Sequence, residues 1–132
     1  MKRKKVCLLL FLFFVLEIVA FLTACNQKDF VGSRTAAPDS YRLDIAHMTG
    51  SDLHTLELDG GDVLGIQFET IEGFLYLEIK APNGTLLYAG NGKTATDFTV
   101  NIPEDGVYSV RVEARRAKGN IRIQTVNFES EI

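Results

Sequence analysis

Two histidines, His47 and His54, lie seven residues apart with Asp44 and Asp52 beside them, and these residue types hold divalent metals. Metal ligands must converge on one point, whereas side chains seven apart on an extended strand point to opposite faces. A turn at Thr49-Gly50-Ser51 would bring the two rings together across a hairpin; without that convergence they are surface histidines flanking a turn. The second reading is adopted, so neither a metal nor another cofactor is expected. Asp59-Gly60-Gly61-Asp62 offers carboxylates and carbonyls of the kind that bind calcium, but without the repeated ligand positions of a calcium loop it reads as a hairpin turn. A nucleophile needs a base and an orienting partner, and no Gly-x-Ser-x-Gly elbow, His-Glu-x-x-His pair or phosphate loop occurs. Glu69, Glu72 and Glu78 leave a paired-carboxylate hydrolase open by count alone. A domain of this size has little room for a deep cleft beside its core, and the expectation is a protein that is not an enzyme.

The basic residues form a second group. Arg115-Arg116-Ala117-Lys118, with Arg111 and Arg122 on either side, concentrates positive charge on an acidic chain. Read as the tip of a last hairpin, it would contact anionic lipid, an anionic polymer or an acidic partner. The other reading is a solvated hairpin end whose charges keep the edge from pairing. Trp is absent, so a sugar platform would have to use Tyr76, Phe74 or Tyr88. The candidate binding residues are Arg111, Arg115, Arg116, Lys118, Arg122 and Tyr76.

These side chains need a scaffold, and the chain divides into unlike parts. Lys2-Arg3-Lys4-Lys5 precedes a mostly apolar run over residues 6–22, in the order of a secretory leader. As a helix that run spans roughly 26 Å, short of a ~30 Å hydrocarbon core, and it contains Glu17. A leader used once tolerates this better than a permanent signal anchor, the other reading. Of 14 Lys+Arg and 17 Asp+Glu in the 132 residues, four and one fall in residues 1–24, so the remainder holds ten basic against 16 acidic residues, a formal charge of −6. A chain-wide basic field for nucleic acid is thereby excluded, and one domain of ordinary size fits.

Leu22-Thr23-Ala24-Cys25 resembles the lipobox of bacterial lipoproteins: an aliphatic residue, two small ones and a cysteine. The resemblance implies a diacylglyceryl group on Cys25 and cleavage before it, leaving Cys25 as the N-terminus; the alternative is an ordinary signal peptide with a cysteine near its cleavage site. Two acyl chains suffice for stable anchoring. The expected organisation is a signal peptide over 1–24, a flexible tether over 25–39 with lipidated Cys25, and a strand domain over 40–132. The fourteen residues from Asn26 to Asp39 would extend up to ~45 Å and hold the domain clear of the headgroups. Cys7 is the one other cysteine. It leaves with the leader, so the mature domain relies on its core and not on disulfides.

From Ser40 onward apolar residues alternate with polar ones at period two: Tyr41, Leu43, Ile45; Leu56, Leu58; Leu64, Ile66, Phe68; Leu75, Leu77, Ile79; Phe98, Val100, Ile102; Tyr108, Val110, Val112, Ala114; Ile121, Ile123. With a short strand at residues 86–89 this makes about eight strands. Turn chemistry separates them at Asp59-Gly60-Gly61-Asp62, Pro82-Asn83-Gly84, Gly90-Asn91-Gly92, Glu104-Asp105-Gly106 and Lys118-Gly119-Asn120. The predicted fold is all-β, an antiparallel two-sheet β-sandwich, jelly-roll-like, after an N-terminal signal helix. A last hairpin is predicted with Arg115 across from Asn120, Glu113 across from Arg122 and Val112 across from Ile123.

From Leu56 to Val126 the order of motifs is similar to the bacterial pre-peptidase C-terminal domain, a small jelly-roll-like sandwich, and the golgi-dynamics-type sandwich shares much of it. The matching pieces run 56–64, 77–87, 98–112 and 119–123. Where that family often carries aspartates, this chain has Tyr76 and Glu78. Together these readings describe a monomeric, non-catalytic module anchored in the cell membrane through lipid and facing away from the cytoplasm. It would present a sheet face or loop end to a carbohydrate or protein partner, with no nucleic acid expected. The alternative is a structural accessory subunit of an envelope or secreted-enzyme assembly.

Overall fold

A computed structural model describes residues 29–94 and 96–126. The leader 1–24, its expected helix, Cys25 and the rest of the lipobox lie outside the described residues. Six strands form one antiparallel sheet: β1 (Asp29–Ala37), β2 (Ser40–Leu58), β3 (Val63–Lys80), β4 (Leu86–Gly90), β5 (Asp97–Asn101) and β6 (Gly106–Thr125). The order is β1-β2-β6-β3-β4, with β5 also paired to β3. One continuous sheet thus replaces the expected pair of sheets and its jelly-roll-like order.

The difference in strand number has one cause. In β2 the buried side chains fall on odd positions as far as Ile45 and on even positions from Met48 onward. The same change of parity separates Phe68 from Leu75 in β3 and Ala114 from Ala117 in β6. Each change occurs at a bulge, where the register slips between Ile45 and Gly50 and between Thr70 and Phe74. Three pairs of strands expected from the sequence are therefore three long strands, each bent in its middle. The bends give the sheet two halves whose inner side chains share one core, from Tyr41, Leu43, Phe68 and Ile121 in the first half to Leu56, Leu77, Tyr108 and Val112 in the second.

The last hairpin is corrected accordingly. Residues 106–125 run as one strand, so Glu113 faces Ser51 and Tyr76, while Arg122 faces Arg42 and Gln67. Thr49-Gly50-Ser51 is likewise no hairpin turn but part of β2. The tether is corrected too: residues 29–37 pair with β2 throughout, from Asp29 opposite Thr49 to Ala37 opposite Ser40. Without a clean apolar alternation this edge strand gave no periodic signal; most of it is exposed. Pro82-Asn83-Gly84 does form the expected turn, Gly84 donating to the Ala81 carbonyl at 2.9 Å.

Bending a sheet onto itself leaves two open sides, and each is closed differently. On one side Tyr88 of β4 packs on Phe98 of β5 with ring centroids 4.6 Å apart. On the other, Asp52 in the second half of β2 accepts from the Tyr41 hydroxyl at 2.6 Å and from Arg34 Nε at 2.8 Å. The Arg34 guanidinium lies over the Tyr41 ring, 5.6 Å from its centroid, and the His54 ring stacks on the same ring with centroids 5.3 Å apart. His54 Nε2 donates to the Ala37 carbonyl at 2.7 Å, and the Glu57 amide donates to Pro38 O at 2.7 Å. Asp52 is 8 % exposed, and a carboxylate that deep requires charge and hydrogen-bond partners. Burial first, and then the hydrogen bond to Asp52, hold the Tyr41 hydroxyl well above the usual phenol range.

Two tests follow from this architecture. Gly73, at φ +72°, would bring an added Cβ within 2.1 Å of the Arg116 carbonyl oxygen, whereas Gly84, at φ +86°, has open space around it. Gly84→Ala should therefore cost about 1 kcal/mol through its backbone conformation alone. Gly73→Ala should cost about 3 kcal/mol or more, both read by urea denaturation. The raised Tyr41 makes stability pH-dependent with a definite sign: ionisation in the fold lags behind ionisation in the unfolded chain, so stability is intact below the ordinary value of 10.0 and is lost above it. The slope contributed by one such group is about 1.4 kcal/mol per pH unit. Tyr41→Phe should remove that part of the alkaline decline while lowering stability at neutral pH by about 1–2 kcal/mol, measured by denaturation between pH 7 and 11.

Candidate functional site

The two histidines do not converge. His47 meets Asp29 at 3.1 Å on the first half, and His54 is held in the cluster that closes the second. Asp62 uses its carboxylate to accept the Asp59 amide at 2.9 Å, and Asp105 accepts the Gly60 amide at 2.7 Å, so the 59–62 segment is stapled as a turn. Among the described residues, no group of three or more His, Cys, Asp or Glu is arranged to hold a metal ion.

The bend distributes the candidate binding residues over three places. Tyr76, Arg111 and Arg115 share the outer face of the second half, where Phe74 lies opposite Arg115, Tyr76 opposite Glu113 and Glu78 opposite Arg111. Arg116 and Lys118 sit at the bend itself. Arg122 is on the outer face of the first half, eleven residues from Arg111 and roughly 36 Å along the strand at ~3.3 Å per residue. The single basic tip expected from the sequence does not form, because β6 continues through those positions as one bent strand and not as a hairpin end.

On the second half's outer face the charges are tied into a ladder. Arg111 pairs with Glu113; Glu78 accepts from the Tyr76 hydroxyl at 2.9 Å and from Lys80 at 3.1 Å. The Arg115 guanidinium lies 5.9 Å from the centre of the Phe74 ring. The hydrogen bond from Tyr76, then Lys80, holds Glu78 below the usual carboxylate range, and the same bond to Glu78 raises Tyr76. These contacts fix long side chains over a flat surface that carries Leu53, 68 % exposed, and Phe74, 40 % exposed, with Leu86 and Val107 also exposed. Aromatic rings and arginines held in place beside exposed aliphatic groups are the composition of a contact surface, with little entropy left to lose on binding.

The first half's outer face is mostly polar, with Val126 lying over Gly65. Arg42, Arg122, Gln67 and Asp97 line up across β2, β6, β3 and β5, followed by Ser40, Gln124, Gly65 and Thr99 in the next row. Two shallow depressions flank Arg122 and Gln124, one reaching Asp97 and Thr99, the other reaching Thr35 and Arg42. Arg42 is neutralised by Asp44 at 2.9 Å; among the described residues Arg122 has no such carboxylate.

Sequence reasoning missed the Arg34–Asp52–Tyr41–His54 cluster and the Arg42–Arg122 row. One signal for the cluster was available. Asp52 and His54 share the parity of Leu56 and Leu58, and a carboxylate on the apolar face of a strand must find buried partners. Arg34 could not be paired with it while residues 25–39 read as a tether.

No family model and no curated protein sequence matches the chain. Among solved structures it resembles PliG of Aeromonas hydrophila, a periplasmic inhibitor of g-type lysozyme, with TM-score 0.50 and 14 % identity over 68 % of this chain and 89 % of that one. A CBM4 protein aligns with TM-score 0.38 and 15 % identity over 75 % and 76 % of the two chains. TmCBM61, solved with β-1,4-galactotriose, aligns with TM-score 0.37 and 16 % identity over 69 % and 64 %. The likeness to PliG shows a shared fold, that of a compact all-β protein with antiparallel strands.

Proposed function

We propose that this chain is a lipid-anchored bacterial envelope protein whose strand domain is a non-catalytic module that binds a protein partner outside the membrane. The observation that carries the binding surface is the outer face of the second half, where Phe74, Tyr76, Arg111 and Arg115 stand together with Leu53. The anchoring rests on the lipobox pattern at Leu22, Thr23, Ala24 and Cys25. A non-catalytic role is supported by the use made of the reactive groups: His54 and Asp52 close the sheet, and Asp62 and Asp105 cap a turn. PliG inhibits a g-type lysozyme, which makes that enzyme the first partner to assay.

A second reading, a carbohydrate ligand, is favoured by a different place. The polar row of Arg122, Gln124, Gln67 and Thr99 offers planar amides, a hydroxyl and a guanidinium around shallow depressions, the groups that hydrogen-bond to sugar hydroxyls. The two readings separate by variant. If the partner is a protein, Phe74→Ser with Arg111→Glu should weaken its binding at least tenfold in a titration, and Arg122→Ala should leave it unchanged. Loss on Arg122→Ala alone, with signal on a glycan array, would establish the carbohydrate reading instead. For the anchor, Cys25→Ser should move the protein from the membrane to the soluble fraction, and an unchanged fractionation would overturn lipidation.

A further inference from the structure

We propose that the bend of the sheet docks against anionic lipid headgroups, so that the domain lies against the membrane and is not held away from it. The proposal rests on lipidation of Cys25 and adds to it a definite orientation. β1 begins at Asp29, leaving four Cα–Cα steps from Cys25, about 14 Å at full extension. A lipid on Cys25 therefore keeps Asp29 within that distance of the membrane surface.

Asp29 marks one end of a band that crosses four strands at the bend. It lies opposite Thr49, whose Oγ1 accepts from the Arg116 amide at 3.0 Å. Arg116 takes φ +45°, and its side chain and that of the preceding Arg115 are both exposed. Lys118 lies opposite Glu72, and Ile71 precedes Glu72. Three of the ten basic residues beyond position 24 fall within residues 115–118. The acids on the band are Asp29, which faces His47, and Glu72, which faces Lys118; beside it lie Asp44, paired with Arg42, and Glu113, paired with Arg111. Val31, 57 % exposed, and Ile71, 55 % exposed, stand at its two ends. Apolar side chains flanking cations on a surface held within one short link of a bilayer are the elements of interfacial attachment. Apart from the Arg42–Arg122 row the rest of the domain is acidic, and the short link from Asp29 to Cys25 brings the bend, not that row, to the surface.

The mature, lipidated protein has no free thiol by this reading, so one cysteine can be introduced and labelled at will. Ile71→Cys reports on the bend, and Thr85→Cys, in the turn at the far end of β3, serves as the control. Each dye-labelled protein is reconstituted into phosphatidylcholine vesicles with or without phosphatidylglycerol, carrying a quencher at headgroup depth. The dye at 71 should be quenched in phosphatidylglycerol vesicles and the dye at 85 should not. A cation near an anionic surface contributes roughly fivefold in partition, so Arg116→Glu with Lys118→Glu should lower the docked-to-free ratio at least tenfold. Protein that floats with the vesicles while neither dye is quenched overturns the docking and leaves the anchor standing. Equal quenching at 71 in both vesicle types overturns the electrostatic contact and assigns the position to the short link alone. Protein that does not float overturns the anchor and the docking together.

Discussion

A strand whose side chains change sides in mid-course must insert a residue, and the sheet stays continuous where pairing resumes beyond the bulge. Here β2, β3 and β6 all change parity at the bend, and their backbones approach within a distance that excludes side chains. An added Cβ on Gly119 would stand 2.2 Å from the Glu69 carbonyl oxygen, and one on Gly73 would stand 2.1 Å from that of Arg116. The two glycines come from β6 and β3 and meet each other's partner strand, so each bulge holds the other in place. Everything else in the molecule depends on this crossing: the shared core, the two outer faces and the separation of the basic residues.

The sides of the folded sheet show how different residues satisfy the same geometric need. Tyr88 and Phe98 close one gap by apolar contact, which requires no orientation beyond packing. The other gap is closed by Asp52 between Arg34 and Tyr41, with His54 stacked on the ring, and it demands a specific arrangement of four side chains from β1 and both halves of β2. A buried ion pair of this kind adds little net stability over an apolar substitute, yet removing one partner leaves a stranded charge. The cluster therefore acts as a register lock. It fixes β1 to the sheet at the one alignment in which Arg34 reaches Asp52, and β1 in turn sets how far the domain stands from Cys25.

The element types were legible in the sequence because period-two alternation is a local property. Leu64, Ile66 and Phe68, or Tyr108, Val110 and Val112, announce a half-buried strand without reference to anything distant. The continuity of the strands was not legible. A parity change looks in one dimension like the end of one strand and the start of another, and the polar residues of the bulge, Arg115 and Arg116 or Thr49 and Gly50, look like turns. Strand β1 was hidden for another reason: it is an exposed edge whose residues make backbone pairings and polar side-chain contacts to distant positions, Asp29 to His47 and Arg34 to Asp52, and neither leaves a hydrophobic pattern. Of the candidate site, Arg111 and Arg115 were legible on one face because they share parity within one strand, whereas Tyr76 joins them only through the pairing of β3 with β6. Arg122 was placed with them through a hairpin that does not exist, and lies instead beyond the bend beside Arg42.

The bend also explains why an acidic domain can carry separate surfaces without their interfering. Within the second half's outer face Arg111 is paired with Glu113, while Arg115 lies over Phe74 and keeps its charge beside the bend. Arg116 and Lys118 point away from that ladder because the bulge between positions 114 and 117 turns the strand. Arg122 shares the parity of Lys118 on the far side of the bulge and lies across from Arg42 and Gln67. One strand thus delivers its cations to two outer faces, Arg111 and Arg115 before the bend and Lys118 and Arg122 after it, and a ligand that selects one face does not reach the other. That separation is a product of backbone geometry: the same six residues on a straight hairpin would form one continuous basic tip with a single electrostatic preference.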